Sequence, residues 1–205
     1  MRDAWLRNHF SIPVVETFLN VNTEQMANDI YEHSKNNKGM SKSNEGGYQS
    51  DNIKHADTTE FKSFYSQLQE EVNRYVEHVK CPQPDDIFSW YNINAYKDYN
   101  QEHLHPGAIV SGVFYVKVPE DSGTFSFIHP AEDYIDMFWN NAKRSDGLLR
   151  KNNYKGTRWE LEPKEKLLIL FPSWLPHWTE PNETNERITV SFNSIRKSIY
   201  LEGRK

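Results

Sequence analysis

From residue 86 onward the chain breaks into short runs of β-branched and aromatic residues separated by turn residues. That texture confines it to strand-rich architectures. Candidate strands are 87–97, 101–105, 109–118, 123–128, 157–161, 166–172 and 186–195. One of them declares both of its faces. In Arg187-Ile188-Thr189-Val190-Ser191-Phe192-Asn193, Ile188, Val190 and Phe192 alternate with Arg187, Thr189, Ser191 and Asn193. Successive strand residues point to opposite sides, so one face is apolar and the other polar. On a half-exposed strand the polar face meets water; in a jelly roll it can line an interior pocket. Ser89–Lys97 divides in the same way, with Trp90, Asn92, Asn94 and Tyr96 on one side and Tyr91, Ile93 and Ala95 on the other. Asparagine is disfavoured in sheets, which suits either a site for a small polar ligand or an exposed edge.

Upstream the periodicity changes. FSIPVVETFL at 10–19 reads as a strand edged by Pro13. Thr23 to Lys35 reads as a helix with Met26, Ala27, Ile30 and Tyr31 on one face. Residues 39–57, with Gly46-Gly47 at their centre, read as a loop, a lid or a substrate-contacting segment. Asp57-Thr58-Thr59-Glu60 resembles a capping box that opens the clearest helix of the chain. Phe61, Phe64, Tyr65, Leu68, Val72, Tyr75, Val76 and Val79 follow at spacings of three and four, and Pro82 and Pro84 end it. Helices first and strands afterwards predict an α+β, mainly β fold: a jelly-roll core over 86–195 buttressed by the helical and Gly-rich part, 1–85. The charged stretch 131–156, containing Phe138-Trp139, interrupts the strand rhythm and reads as an insertion within a single domain of 205 residues.

Composition excludes several classes. A hydrophobic content of 37%, with 14% aromatic residues, fits a packed domain rather than a disordered chain. The net charge of −5 gives no support to nucleic-acid binding, and no nucleic-acid partner is expected. The longest wholly apolar run, Leu167–Phe171, is too short to span a bilayer, and MRDAWLRNHF lacks the apolar region of a secretory signal. The lone Cys81 forms no internal disulfide; it reads as a small packing residue in a reducing compartment. The sequon at Asn182-Glu183-Thr184 is read as accidental.

His103 and His105 stand two apart in HLHP, so on a strand they would project together while Leu104 turned away into packing. Two imidazoles on one face could grip one transition-metal ion, with His177 of FPSWLPHW as the leading third ligand. With eight histidines in the chain, a His-x-His pair standing alone is more often a surface accident. His9, His33, His55 and His78 read as solvated or structural, and His129 as a packing residue. Arg187, following His177, strengthens the functional reading, because a guanidinium inside a roll forms a bidentate pair with a carboxylate, Thr189 adding a hydrogen bond. Trp174, Trp178, Phe138, Trp139 and Tyr48 are candidates for stacking on a substrate, though each alone is more often core.

These residues resemble the 2-oxoglutarate- and Fe(II)-dependent oxygenase superfamily, and within it the oxygenase group found in marine phages and bacteria. The resemblance is carried by GGYQS at 46–50, WYNINAYKDYNQEHLHPGAIVSGVFYVKVP, SGTFSF, and LLILFPSWLPHWTEPNETNERITVSFN. It implies a double-stranded β-helix, with His103 and His177 as iron ligands. Arg187 and Thr189 would bind the distal carboxylate of 2-oxoglutarate, and Asn94 and Tyr115 would line the co-substrate pocket. The superfamily pattern places Asp or Glu where this chain has His105, so the implied site is a three-histidine one, more positive than usual. The implied activity is a dioxygenase taking Fe(II), 2-oxoglutarate and O2, hydroxylating a peptide side chain or a small metabolite in the cytoplasm, or in a host's cytoplasm if the chain is phage-encoded. Two other readings stay open: a non-catalytic jelly-roll binding or structural module, and a three-histidine dioxygenase that does not use 2-oxoglutarate.

Overall fold

The computed structural model describes residues 11–53, 58–135 and 157–198. Six antiparallel strands form the major sheet in the order β1 (Val15–Phe18), β9 (Leu167–Pro172), β6 (Ala108–Lys117), β11 (Arg187–Ile195), β4 (Asp86–Asn94), β3 (Tyr48–Gln49). Opposite it lie β10 (His177–Thr179), β7 (Phe125–Ile128) and β8 (Arg158–Leu161), with the short pair β2 (Asn44–Glu45) and β5 (Tyr99–Asn100) beside them. Strands adjacent in the sheet but remote in sequence give the double-stranded β-helix expected from the strand texture.

Two packed layers explain why β9 is apolar at every position. Leu168 and Leu170 join a cluster with Met26 and Ile30 of α1 (Thr23–Asn36) and Phe64, Leu68 and Val72 of α2 (Thr59–Val79). Leu167, Ile169 and Phe171 join a second cluster with Phe125, Phe127 and Leu161 of the smaller sheet. A strand covered on both faces cannot alternate in polarity. β11 is covered on its apolar side by the helices, through Ile188, Val190 and Phe192, and turns its polar side into the roll.

Several sequence expectations need correction. The capping residue of α2 is Thr58, whose hydroxyl accepts from Phe61 N at 3.3 Å, rather than Asp57. The expected strand 87–97 stops at Asn94, because the chain turns through Lys97 at φ +71°. Tyr96, grouped with the pocket side, is consequently exposed. No regular strand runs over 101–105; the only pairing there is a bridge between His103 and His177. Leu104 faces solvent instead of packing. The segment read as a loop contains β2 and β3, joined by Gly46 and Gly47 at φ +70° and +64°. Because β2 pairs with β5 and β3 with β4, these glycines carry the chain across the open end between the two sheets. Most of the expected insertion, with Phe138 and Trp139, lies outside the described residues, as do His9 and His55. Of the remaining histidines, His33 pairs with the Tyr91 hydroxyl at 2.8 Å, His78 is exposed, and His129 accepts from Ala131 N away from the pocket.

Candidate active site

The bridge between two remote stretches of chain builds the centre. His103 N donates to His177 O and His177 N to His103 O, each at 3.0 Å, which locks the two residues face to face. His105 N is held by Ser173 O at 2.9 Å. The three rings then converge, with centroids 4.3 Å apart for His103 and His177, 5.0 Å for His103 and His105, and 5.1 Å for His105 and His177. One nitrogen from each lies within 4.8 Å of the others, so all three can reach a single ion. Among the described residues no carboxylate completes the cluster.

Second partners orient these rings. His103 Nδ1 lies 2.6 Å from Gln101 O and His177 Nδ1 2.9 Å from Leu175 O. A carbonyl accepts only, so both Nδ1 atoms carry the proton and both Nε2 atoms present lone pairs. His105 Nδ1 faces the Asn193 carboxamide at 3.5 Å, and Asn193 is itself fixed by Ser111 Oγ at 2.6 Å. Burial lowers the pKa of all three histidines; that of His105 falls to about 3, with His103 and Lys42 adding to the effect. Near neutral pH all three are uncharged, the state a metal requires. Phe125 stacks on His177 at 5.5 Å and Phe171 meets it edge-on at 4.6 Å, closing the apolar side.

Arg187 enters the same hollow from the start of β11, opposite Asn94 on β4. It is only 2% exposed. Nη1 donates to Ser122 O at 2.6 Å and Nη2 to Thr179 Oγ1 at 3.3 Å. No carboxylate of a described residue forms an ion pair with it; burial pushes its pKa down, opposed only through space by Tyr115 and Asp98. A buried guanidinium without a counter-ion is costly, so the arrangement favours an incoming anion. Thr189, opposite both Asn92 and Tyr115, lines the hollow with Ser191, Asn94 and Trp90. Asn92 Oδ1 and Asn94 Nδ2 are buried with no partner among the described residues, two polar atoms left over for a ligand.

All seven residues singled out in the sequence (His103, His105, His177, Arg187, Thr189, Asn94 and Tyr115) therefore line one hollow. Sequence reasoning missed Thr179, Ser111 and the role of Asn193 beside His105. Thr179 carried a usable signal: it stands two residues after His177 on β10, hence on the same face. Trp174 proves exposed, and Tyr48 stacks on Tyr91 at 5.7 Å away from the rings.

A double-stranded β-helix with a cluster able to hold a metal, and inside the roll a guanidinium with no ion pair among the described residues, is the arrangement expected of a non-haem jelly-roll oxygenase. The chain belongs to the 2OG-Fe(II) oxygenase family: the model described as "Putative 2OG-Fe(II) oxygenase" matches residues 88–193, just over half of the chain. Enzymes of this family use Fe(II) and 2-oxoglutarate, and three neutral imidazoles beside an unpaired guanidinium fit both. Among solved structures, a prolyl-4-hydroxylase from Pseudomonas putida aligns with a TM-score of 0.64 at 13% identity, over 91% of this chain and 94% of that one. The viral collagen prolyl hydroxylase of Paramecium Bursaria Chlorella virus-1, solved with 2OG, gives 0.57 at 11% identity, over 89% and 96%. A Trichoplax adhaerens prolyl hydroxylase solved with a peptide fragment gives 0.64 at 12% identity, over 95% and 87%. At such identities the likeness is one of fold. No curated protein sequence matches the chain. No described helix is long and apolar enough to cross a membrane.

Proposed function

We propose that His103, His105 and His177 hold the Fe(II), and that Arg187 with Thr189 clamps the distal carboxylate of 2-oxoglutarate in a pocket also lined by Asn94 and Tyr115. The bound metal and co-substrate supply the oxidising power, O2 and 2-oxoglutarate being converted to succinate and CO2 as a C–H bond of the primary substrate is oxidised. The chain's own groups do the positioning. Gln101 O and Leu175 O hold two imidazoles in the ligating tautomer. Ser122 O and Thr179 Oγ1 aim the guanidinium. Phe125 and Phe171 exclude water on the side away from the opening.

The primary substrate enters from a second hollow of about 510 Å³, which shares Ser43, Trp90, His103 and His105 with the inner one. We read the outcome as hydroxylation of a peptide side chain or small metabolite, carried out by one domain spanning 1–205, with 1–85 as its buttress. The observation that carries this reading is a buried guanidinium with no ion-pair partner among the described residues, in the hollow onto which three neutral imidazoles open. The test is O2 uptake by the Fe(II)-loaded protein with and without 2-oxoglutarate. Uptake that requires 2-oxoglutarate and yields succinate in equal amount is expected. Uptake without it would favour the three-histidine dioxygenase instead.

A further inference from the structure

The outer hollow holds one group that the chemistry above leaves unused. Gln49 sits on β3, the edge strand, opposite Asn92 of β4. Its backbone is engaged, its carbonyl accepting from Met40 N at 2.9 Å. Its side chain is not: the residue is 3% exposed, Oε1 is buried with no partner among the described residues, and Nε2 donates to none of them. A buried amide oxygen without a donor is disfavoured unless something supplies one, and the Gln49 side chain lines the hollow it shares with His103 and His105.

The surrounding wall restricts what that something is. Phe88 and Trp90, with ring centroids 5.9 Å apart, give an apolar surface on the neighbouring strand, and Leu104 adds another from the far side. The described charges at the rim are one of each sign, Lys42 and Glu102. Among the described residues no cluster of cations is there to take a phosphate, which weighs against a nucleotide. A carboxamide offers a donor and an acceptor side by side, the complement of a secondary amide. We propose that Gln49 is a specificity-determining residue that pairs with a backbone amide of a peptide substrate, whose apolar side chain lies against Phe88 and Trp90 and is thereby held in front of the histidine cluster. This rests on the oxygenase reading above and adds the substrate class to it.

The probes are N-acetylated tripeptide amides Ala-X-Ala, X being each coded residue in turn, with matching depsipeptides in which an ester oxygen replaces one amide N–H. Adenosine serves as the nucleobase control. Binding to the Fe(II)- and 2-oxoglutarate-loaded protein under anaerobic conditions is read by ligand-observed NMR at millimolar probe. The expected result is a peptide that binds roughly 10-fold better than its depsipeptide, as one buried hydrogen bond implies. In Gln49→Met, a buried apolar replacement of similar length, that ratio should fall to about one, a double-mutant-cycle signature of direct pairing. Equal binding of amide and ester by the wild-type protein overturns the assignment. So does a ratio unchanged in Gln49→Met, binding of adenosine without binding of any peptide, or no peptide binding at all. The visible band formed when 2-oxoglutarate is added to the Fe(II)-loaded wild-type protein is recorded in parallel. Its absence would defeat the oxygenase reading itself, whereas its presence with any overturning result defeats only the role of Gln49.

Discussion

Arg187 illustrates how a single residue gains meaning from its surroundings. On an isolated strand it is an ordinary polar position; inside the roll it is a buried cation whose bonds go to Ser122 O and Thr179 Oγ1. Arg187→Ala should raise the 2-oxoglutarate KM on the order of 100-fold, since truncating one member of a buried charge pair removes about 3 kcal/mol of binding. Steady-state succinate formation against co-substrate concentration checks it, and an unchanged KM would contradict the assignment. Arg187→Lys should not restore binding, because an ammonium lacks the planar fork. His105 is the histidine without a backbone carbonyl at Nδ1; the Asn193 carboxamide faces it instead. Asn193→Ala should therefore weaken Fe(II) binding by about 10-fold, as loss of a second partner to a ligand does. Competition with a chelator of known affinity measures this, and wild-type affinity in the variant would show that Asn193 has no such role. The alternation at 187–193 made the pocket face of Arg187 and Thr189 legible in the sequence. The Asn193–His105 contact was not, because it joins residues from segments whose register only the folded sheet sets.

At the level of elements, the strands that carry clear alternation or unbroken apolar runs were legible nearly to their ends. β11, β9 and α2 are the clearest cases. The elements that build the metal end were not. β10 is three residues long, β5 is two, and His103 is tied to His177 through one bridge. Such short pieces have no period to read; long-range pairing creates them. The same holds for β2 and β3, which looked like loop because the turn between them is glycine. That turn is demanding. A Cβ at Gly47 would stand 2.9 Å from Ile93 O and 3.1 Å from Asn94 Nδ2, at a φ of +64°. Gly47→Val should lower stability by about 1–3 kcal/mol, combining the φ penalty with displacement of β4. It should also loosen 2-oxoglutarate binding, since Asn94 lines the inner hollow. Urea unfolding and a co-substrate titration read the two effects, and a variant with wild-type midpoint would place the turn outside the structural core.

Over the whole molecule, two apolar layers hold a polar interior open. The helices cover one face of the major sheet and the smaller sheet the other, so the hollow between the sheets need not be filled by side chains. Keeping one histidine buried and two half-buried there has a consequence for stability. Each has a folded pKa below its ordinary value of 6.5, so the unfolded chain binds more protons as pH falls. The metal-free protein should hold its full stability above about 6.5 and lose it below, by up to about 1.4 kcal/mol per pH unit for each histidine. Urea midpoints on either side of that pH, compared with those of a His103→Gln, His105→Gln variant, test this; equal slopes would refute it. The central claim is that three imidazoles and one guanidinium make a single site for iron and a dicarboxylate. Anaerobic titration with Fe(II) and then 2-oxoglutarate addresses it most directly. The account predicts one Fe(II) per chain and a visible charge-transfer band that appears only when 2-oxoglutarate is added, is lost in His177→Ala, and needs on the order of 100-fold more 2-oxoglutarate in Arg187→Ala. Iron bound by the wild-type protein with no new band on adding 2-oxoglutarate would contradict it.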